Sequence, residues 1–191
     1  MAIRKGGVVA VPTETYYGLA ADPENEAALH RLFELKQRPE HKPILVLISR
    51  IEQLQGYVAS IPQLYGNLID RYWPGPLTLV FPAKTTVSPL LTGGTGTIGV
   101  RLTPHPLACR IIDLLGRPIT ATSANISRHE PARTALQVRM FFGDRLDFVI
   151  DGGPADEGPG STVVSIVEGK LCLERPGRVP LPGVPICPVT L

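Results

Sequence analysis

Breaks come often in this chain. Glycine or proline stands at 39 of its 191 positions, and neither residue sits inside a helix or a central strand without a penalty. The chain must therefore fold from short elements joined by many turns. Its 43% hydrophobic and 19% charged residues are the balance of a globule and exclude a disordered chain. One compact domain with a real core is expected at this length. The net charge of +2 implies no broadly basic surface, so a nucleotide or nucleic-acid site has to come from cations clustered locally.

Apolar runs at residues 8–11, 44–48, 77–81, 98–102, 118–121, 148–150 and 161–166 read as strands, most of them buried. A hairpin turn at Glu168-Gly169 leads into a last strand ending near Arg175. Asp22 is expected to cap a helix with Pro23 at its first position, carrying the apolar stripe Ala28, Leu29, Leu32, Phe33 and Leu35 and stopping at Pro39. Further helical patterns cover about 51–59, 62–72, 105–115 and 132–142. Strands and helices mix without strict alternation, and the late hairpin is antiparallel. The expected fold is α/β of the α+β type, a mixed sheet with flanking helices. Residues 1–178 form the expected domain, and the proline-bearing stretch 179–191 is expected to be irregular.

Two stretches look made for each other. In Lys36-Gln37-Arg38-Pro39-Glu40-His41-Lys42-Pro43, Pro39 disfavours the α region at Arg38. If the segment is extended, Lys36, Arg38 and Lys42 project to one side, a grip suited to a polyphosphate. The same cluster also fits a solvated helix end paired with its dipole. In Thr120-Ala121-Thr122-Ser123-Ala124-Asn125, Ser123 and Asn125 share parity and offer short hydrogen-bonding groups. Residues 12–19 place hydroxyls, Glu14 and Gly18 just after a buried strand, which fits a ligand loop or a plain polar exit. Arg101 lies in a strand otherwise fit for burial, so it needs an acidic partner from the protein or a ligand carboxylate. Trp73 reads as a packing anchor. The glycine-rich loop 83–97 lacks the Gly-Lys-Ser/Thr ending of a P-loop and fits either a lid or a connection.

Three cysteines, Cys109, Cys172 and Cys187, form no Cys-x-x-Cys, and the four histidines are scattered. Neither a disulfide framework nor a zinc site is expected, and a reducing cytosol fits. No signal peptide and no membrane-spanning run is expected, so the protein reads as soluble and cytoplasmic.

Seven motifs in order resemble the YrdC-like family of threonylcarbamoyl-AMP synthases. They are Pro-Thr-Glu-Thr-x-Tyr-Gly-Leu (12–19), Lys-x-Arg-Pro (36–39), Trp-Pro-Gly-Pro-Leu-Thr (73–78), Val-Arg (100–101), Ser-Ala-Asn-x-Ser (123–127), Ser-Thr-Val-Val (161–164) and Arg-Pro-Gly (175–177). The resemblance runs from about residue 6 to 178 and looks like the short, single-domain branch. It implies a twisted mixed sheet with a basic concave face, and the reaction of L-threonine, bicarbonate and ATP to threonylcarbamoyl-AMP and pyrophosphate. That product serves the t6A modification of tRNA, with downstream transferase proteins as partners. The resemblance assigns Lys36, Arg38 and Lys42 to the triphosphate, and Ser123 and Asn125 to phosphate oxygens or an associated Mg²⁺. Thr97 and Arg175 are nucleotide candidates. Arg101 is the candidate for the threonine carboxylate, with Thr15, Tyr17 and Thr162 as neighbours. The usual Ser-Gly after the Ser-Ala-Asn motif reads Ser127-Arg128 here.

Two other readings compete: a double-stranded RNA or tRNA-binding module, holding phosphates on the basic face, and a paralogue acting on another carbamoyl or nucleotide substrate.

Overall fold

A computed structural model describes residues 1–187. The chain runs through β1 (Val9–Pro12), β2 (Tyr17–Ala20), α1 (Glu26–Lys36), β3 (Val46–Ile48), α2 (Gly66–Tyr72), β4 (Leu77–Pro82), α3 (Pro89–Thr92), β5 (Thr97–Leu102) and α4 (Pro106–Leu115). It continues through β6 (Ile119–Thr120), β7 (Thr122–Ser123), α5 (Ala135–Phe142), β8 (Phe148–Val149), β9 (Thr162–Val167) and β10 (Lys170–Arg175). The expected mixed α/β architecture is present. The strands divide between two mixed sheets, where one was expected: β7-β2-β1-β8 and β10-β9-β4-β5-β3-β6.

The division follows from two local events. First, residues 13–16 are the turn of a hairpin, with Val9 opposite Ala20 and Pro12 opposite Tyr17. The sequence hides β2 because all four of its residues are buried, so no apolar–polar alternation marks it. Second, the chain crosses from one sheet to the other at Ala121. Ile119 and Thr120 pair with β3, and Thr122 and Ser123 pair with β2. Thr120 Oγ1 accepts from the Ala21 amide at 2.8 Å, which closes the seam. The turn at 123–125 therefore starts where both sheets meet.

Helix α1 begins later and ends earlier than its prolines suggest. Asn25, not Asp22, is the N-cap: its Oδ1 accepts from Ala28 N at 3.0 Å, while Asp22 O accepts from Asn25 N and closes a turn ahead of the helix. The stop is Gln37 in the left-handed region at φ 50, with its N–H returning to Glu34 O and the Arg38 N–H to Phe33 O. By Pro39 the helix has already ended. The predicted stripe of α1 is buried as expected, and so is Lys36.

The apparent helices at 51–59 and 62–72 are shorter: 3₁₀ turns at Ile51–Gly56 and Gln63–Tyr65, then α2. Loop 83–97 contains α3 and packs against the 41–44 segment. Ile44 N donates to Leu91 O, and a Cβ at Gly93 (φ 59) would lie 2.4 Å from His41 O. Trp73 is buried, donates to Leu77 O at 2.7 Å and lies against Phe81, as a packing anchor should.

One expectation is corrected. Cys172 and Cys187 form a disulfide, with Cα atoms 5.7 Å apart, and Cys109 is free. Residues 179–187 lie back on β10: Ile186 bridges Leu173, Leu173 N donates to Pro185 O, and Cys187 N donates to Leu173 O. That docking brings the sulfurs together, and spacing along the chain carries no sign of it. Among the described residues, no helix is long and apolar enough to cross a membrane.

Candidate functional site

Lys36 joins the two stretches, but not as an extended strip. It is the last residue of α1 and only 1% exposed, so it does not share a strand-like face with Arg38 and Lys42. Its Nζ donates to Ser123 O, to Asn125 O at 2.9 Å and to Asn125 Oδ1 at 3.0 Å, and its carbonyl accepts from Ser127 N. Ser123 Oγ donates to the same Asn125 Oδ1 at 2.7 Å, and Asn125 Nδ2 donates to His129 O. One ammonium thus organises the whole turn. Burial, and then the nearby Arg38, pulls the Lys36 pKa down to about 7, against three oxygens that favour the charged form.

From Lys36 a series of cations runs through Arg38, Arg175 and Arg101 to Arg178. Burial comes first and the next cation second in lowering each pKa: Arg175 acts on Arg38, Arg101 on Arg175, and Arg178, after the opposing pull of Glu14, on Arg101. Each of these five positive side chains feels the next. Among the described residues, Lys36, Arg38 and Arg175 form no ion pair. Arg38 donates only to the carbonyls of Lys42 and Pro43, at 3.4 and 2.9 Å. Arg175 is exposed as a residue, yet its guanidinium is seated on Ser161, with Nη2 at 2.9 Å from the carbonyl and 3.0 Å from Oγ. Ser161 Oγ lies 2.9 Å from Thr78 Oγ1 on β4. Like charges gathered this way raise the local positive potential and favour an anion beside them.

Arg101, 4% exposed, closes the deep end. It has the protein partner that its strand context required. Its Nε lies 3.0 Å from Glu14 Oε1, a contact whose N–H points off the line, so it is an ion pair rather than a hydrogen bond. Glu14 Oε2 accepts from Thr103 Oγ1 at 2.6 Å, and Arg101 Nη1 donates to Thr15 Oγ1 at 3.3 Å. Glu14 Oε1, Arg101 Nε and Ser127 Oγ are buried without a hydrogen-bond partner among the described residues. Gly99, two residues from Arg101 on the same face of β5, leaves the sheet bare beside Thr78 and Leu45.

The other sequence candidates divide. Thr15 joins Arg101. Thr97 shares the face of Arg101 but stands four residues along β5, about 13 Å away, with its hydroxyl 2.9 Å from Thr95 Oγ1. Lys42 contributes its carbonyl to Arg38, and its ammonium has no partner among the described residues. Thr162 is fully buried, with its hydroxyl donating to Val179 O and accepting from Val179 N. It holds the returning chain. Tyr17 is likewise buried, and its hydroxyl donates to Gly153 O at 2.7 Å and accepts from Gly152 N.

Sequence reading missed Glu14 as the partner of Arg101, and it missed Thr78, Ser161, Arg133 and Arg178. Arg178 directly follows the Arg-Pro-Gly motif, and that adjacency was the one available signal. A surface cavity of about 250 Å³ lies between Pro12–Glu14, Pro104–Pro106 and residues 152–156. A larger one of about 390 Å³ lies around Met1, Gly7, Arg31 and Asp147; none of the five cations lines either cavity, and Glu14 lines the smaller.

The family model Sua5_yciO_yrdC, described as "Telomere recombination", matches residues 1–177. A protein of Pyrococcus abyssi named threonylcarbamoyl-AMP synthase is 43% identical over 179 residues, covering 94% of this chain and 53% of its own. One of Thiobacillus denitrificans with the same name is 43% identical over 169 residues, covering 88% of this chain and 89% of its own. The crystal structure of P. abyssi Sua5 complexed with L-threonine superposes with a TM-score of 0.93 at 40% identity, over 98% of this chain and 57% of that one. This chain therefore spans about half the length of the P. abyssi relative and most of that from T. denitrificans.

Proposed function

Because the chain belongs to the Sua5–YciO–YrdC family, we propose that it is a nucleotidyltransferase that makes L-threonylcarbamoyladenylate. The reaction joins bicarbonate to the threonine amine with loss of water, and a carbamate oxygen then attacks the α-phosphate of ATP while pyrophosphate leaves. The observation that carries this reading is the series Lys36, Arg38, Arg175, Arg101 and Arg178, with Glu14 its one mostly buried carboxylate. A triphosphate and an amino-acid carboxylate supply the missing negative charge. Such transfers need positioning and charge neutralisation rather than a covalent nucleophile.

Within the series, Arg38 and Arg175 take phosphate oxygens, with Lys42 and Thr97 at the nucleotide's periphery. Lys36 holds Ser123 and Asn125 in place to meet the phosphates. Arg101, oriented by Glu14, takes the threonine carboxylate, with Thr15 beside it. Tyr17 and Thr162 shape the pocket by fixing the chain around it. Mg²⁺ enters as MgATP: the described residues provide no group of three or more acidic, His or Cys side chains to hold a resident ion, and Mg²⁺ is commonly carried by substrate phosphates. The product passes to proteins that transfer the group to tRNA.

Purified protein with MgATP and bicarbonate is expected to release pyrophosphate only when L-threonine is added, with a threonylcarbamoyl-AMP mass among the products. Threonine-independent release, or none from folded protein, would reject the reading.

The Lys36 pKa gives a second test. With Lys36 near 7 in the free protein, the side chain is mostly neutral at pH about 8.5. Phosphates beside it favour the charged form, so its pKa rises and binding takes up a proton. Titration calorimetry of ATP in buffers of different ionisation enthalpy should show uptake of up to about one proton between pH 8 and 9. The uptake should fade below pH about 6.5 and vanish in Lys36→Met. Proton release at pH 8.5 would refute it.

A further inference from the structure

Residues 151–160, between β8 and β9, form a strap with neither helix nor strand. It is held chiefly through its main chain. Tyr17 and Tyr16 hydroxyls donate to Gly153 O and Gly158 O, and Arg133 donates to Asp156 O and Gly158 O. Ala155 N donates to Arg133 O at 2.7 Å, Gly152 N to the Tyr17 hydroxyl and Arg178 N to Gly160 O. The Arg178 side chain adds two ties: Nη2 donates to Asp156 O at 2.6 Å and Nε to Pro159 O at 3.0 Å. Its one carboxylate neighbour, Asp156 Oδ2, stands 3.8 Å away on a side chain that is 86% exposed, a contact worth little in water.

Arg178 also reaches the site. Nη2 lies 3.3 Å from Thr15 O, while Arg101 donates to the hydroxyl of that same threonine. Arg101 and Arg178 thus hold Thr15 from two ends and feel each other's charge. The strap's Gly152, Gly153, Pro154, Ala155 and Asp156 roof the cavity of about 250 Å³ next to Glu14. One guanidinium is therefore shared between the deep end of the cation series and the cover over the space beside it.

We propose that Arg178 is a ligand-binding residue that couples occupancy of the carboxylate end of the site to release of the strap. The inference rests on the amino-acid site proposed above. With the site empty, Arg178 donates to neutral carbonyls of the strap. A carboxylate held at Arg101 offers an ionised acceptor, which adds ion-pair attraction and a bidentate geometry that a single neutral carbonyl cannot give the guanidinium. Arg178 turns to it and the strap loses two of its ties. No covalent step is involved.

The test is amide hydrogen exchange over residues 152–160, read with and without L-threonine in wild type, Arg178→Gln and Arg178→Lys. In wild type, threonine is expected to speed exchange of the strap. In Arg178→Gln the strap should exchange fast without ligand and should not respond further. The threonine KM should rise roughly 10-fold, as for one lost charge-assisted bond, with kcat changed less. Arg178→Lys keeps the charge but not the double grip on the carbonyls. It should recover part of the KM while the strap stays fast, a split that a merely structural role would not produce. Threonine binding without a change in strap exchange, or with protection of the strap, would overturn the coupling and leave the proposed function standing. No threonine binding by folded wild type would overturn both.

Discussion

Replacing Arg101 by alanine is expected to lower stability by about 3–5 kcal/mol, the usual consequence of leaving one partner of a buried ion pair alone. Glu14 would keep its bond from Thr103 and lose its cation. Denaturant unfolding of Arg101→Ala, Glu14→Gln and the double variant measures this directly. The double variant should recover much of the loss, because a neutral amide beside Thr103 leaves no unpaired charge. An additive double variant would show that the two side chains do not form a working pair. The folded double variant then isolates function: its threonine KM should rise by roughly 10- to 100-fold, the range for losing charged hydrogen bonds to a carboxylate, with ATP affinity nearly intact. Equal loss of both affinities would remove Arg101 from the amino-acid end.

Lys36→Met is expected to lower kcat/KM by roughly 30- to 900-fold, about 2–4 kcal/mol, as for other lost electrostatic donors. The reason differs from a simple missing phosphate contact. Without the ammonium, Ser123 O, Asn125 O and Asn125 Oδ1 lose their shared donor, and the turn that presents the Ser123 hydroxyl is no longer held. Lys36→Arg should not rescue, because a fully buried site has no room for a guanidinium. Arg38→Ala should cost a similar amount by direct loss of charge, but leave the turn intact. Backbone amide shifts at residues 123–127 separate the two cases. Activity of Lys36→Met within about twofold of wild type would refute the role.

Much of this protein was legible in its residues. The apolar runs marked most of the strands because a buried strand must be apolar whatever it packs against. The stripe on α1 marked a core face for the same reason. Arg101 announced its need for a partner through charge among apolar neighbours, and Lys36, Arg38, Ser123 and Asn125 stood out as groups that share chemistry. The disulfide did not, since Cys172 and Cys187 meet only after residues 179–187 lie back on β10.

What the sequence determined by itself was composition-deep and local: which segments had to be buried, where turns fell, and which polar groups were unusual. Only the tertiary structure decided who answered them. Lys36 became a clamp rather than part of a strip because Gln37 turned left-handed two residues before Pro39. Arg101 met Glu14 because the hairpin β1–β2 folded over the end of β5. Arg178 entered the site because its guanidinium reached the strap and Thr15 together. Parity and burial are properties of a few consecutive residues, which local sterics and hydrophobicity enforce. A charge's partner lies across 87 residues of chain for Lys36 and Ser123, and across 163 for Arg178 and Thr15. Contacts of that span are chosen by the packing of the whole core and leave no period in the sequence.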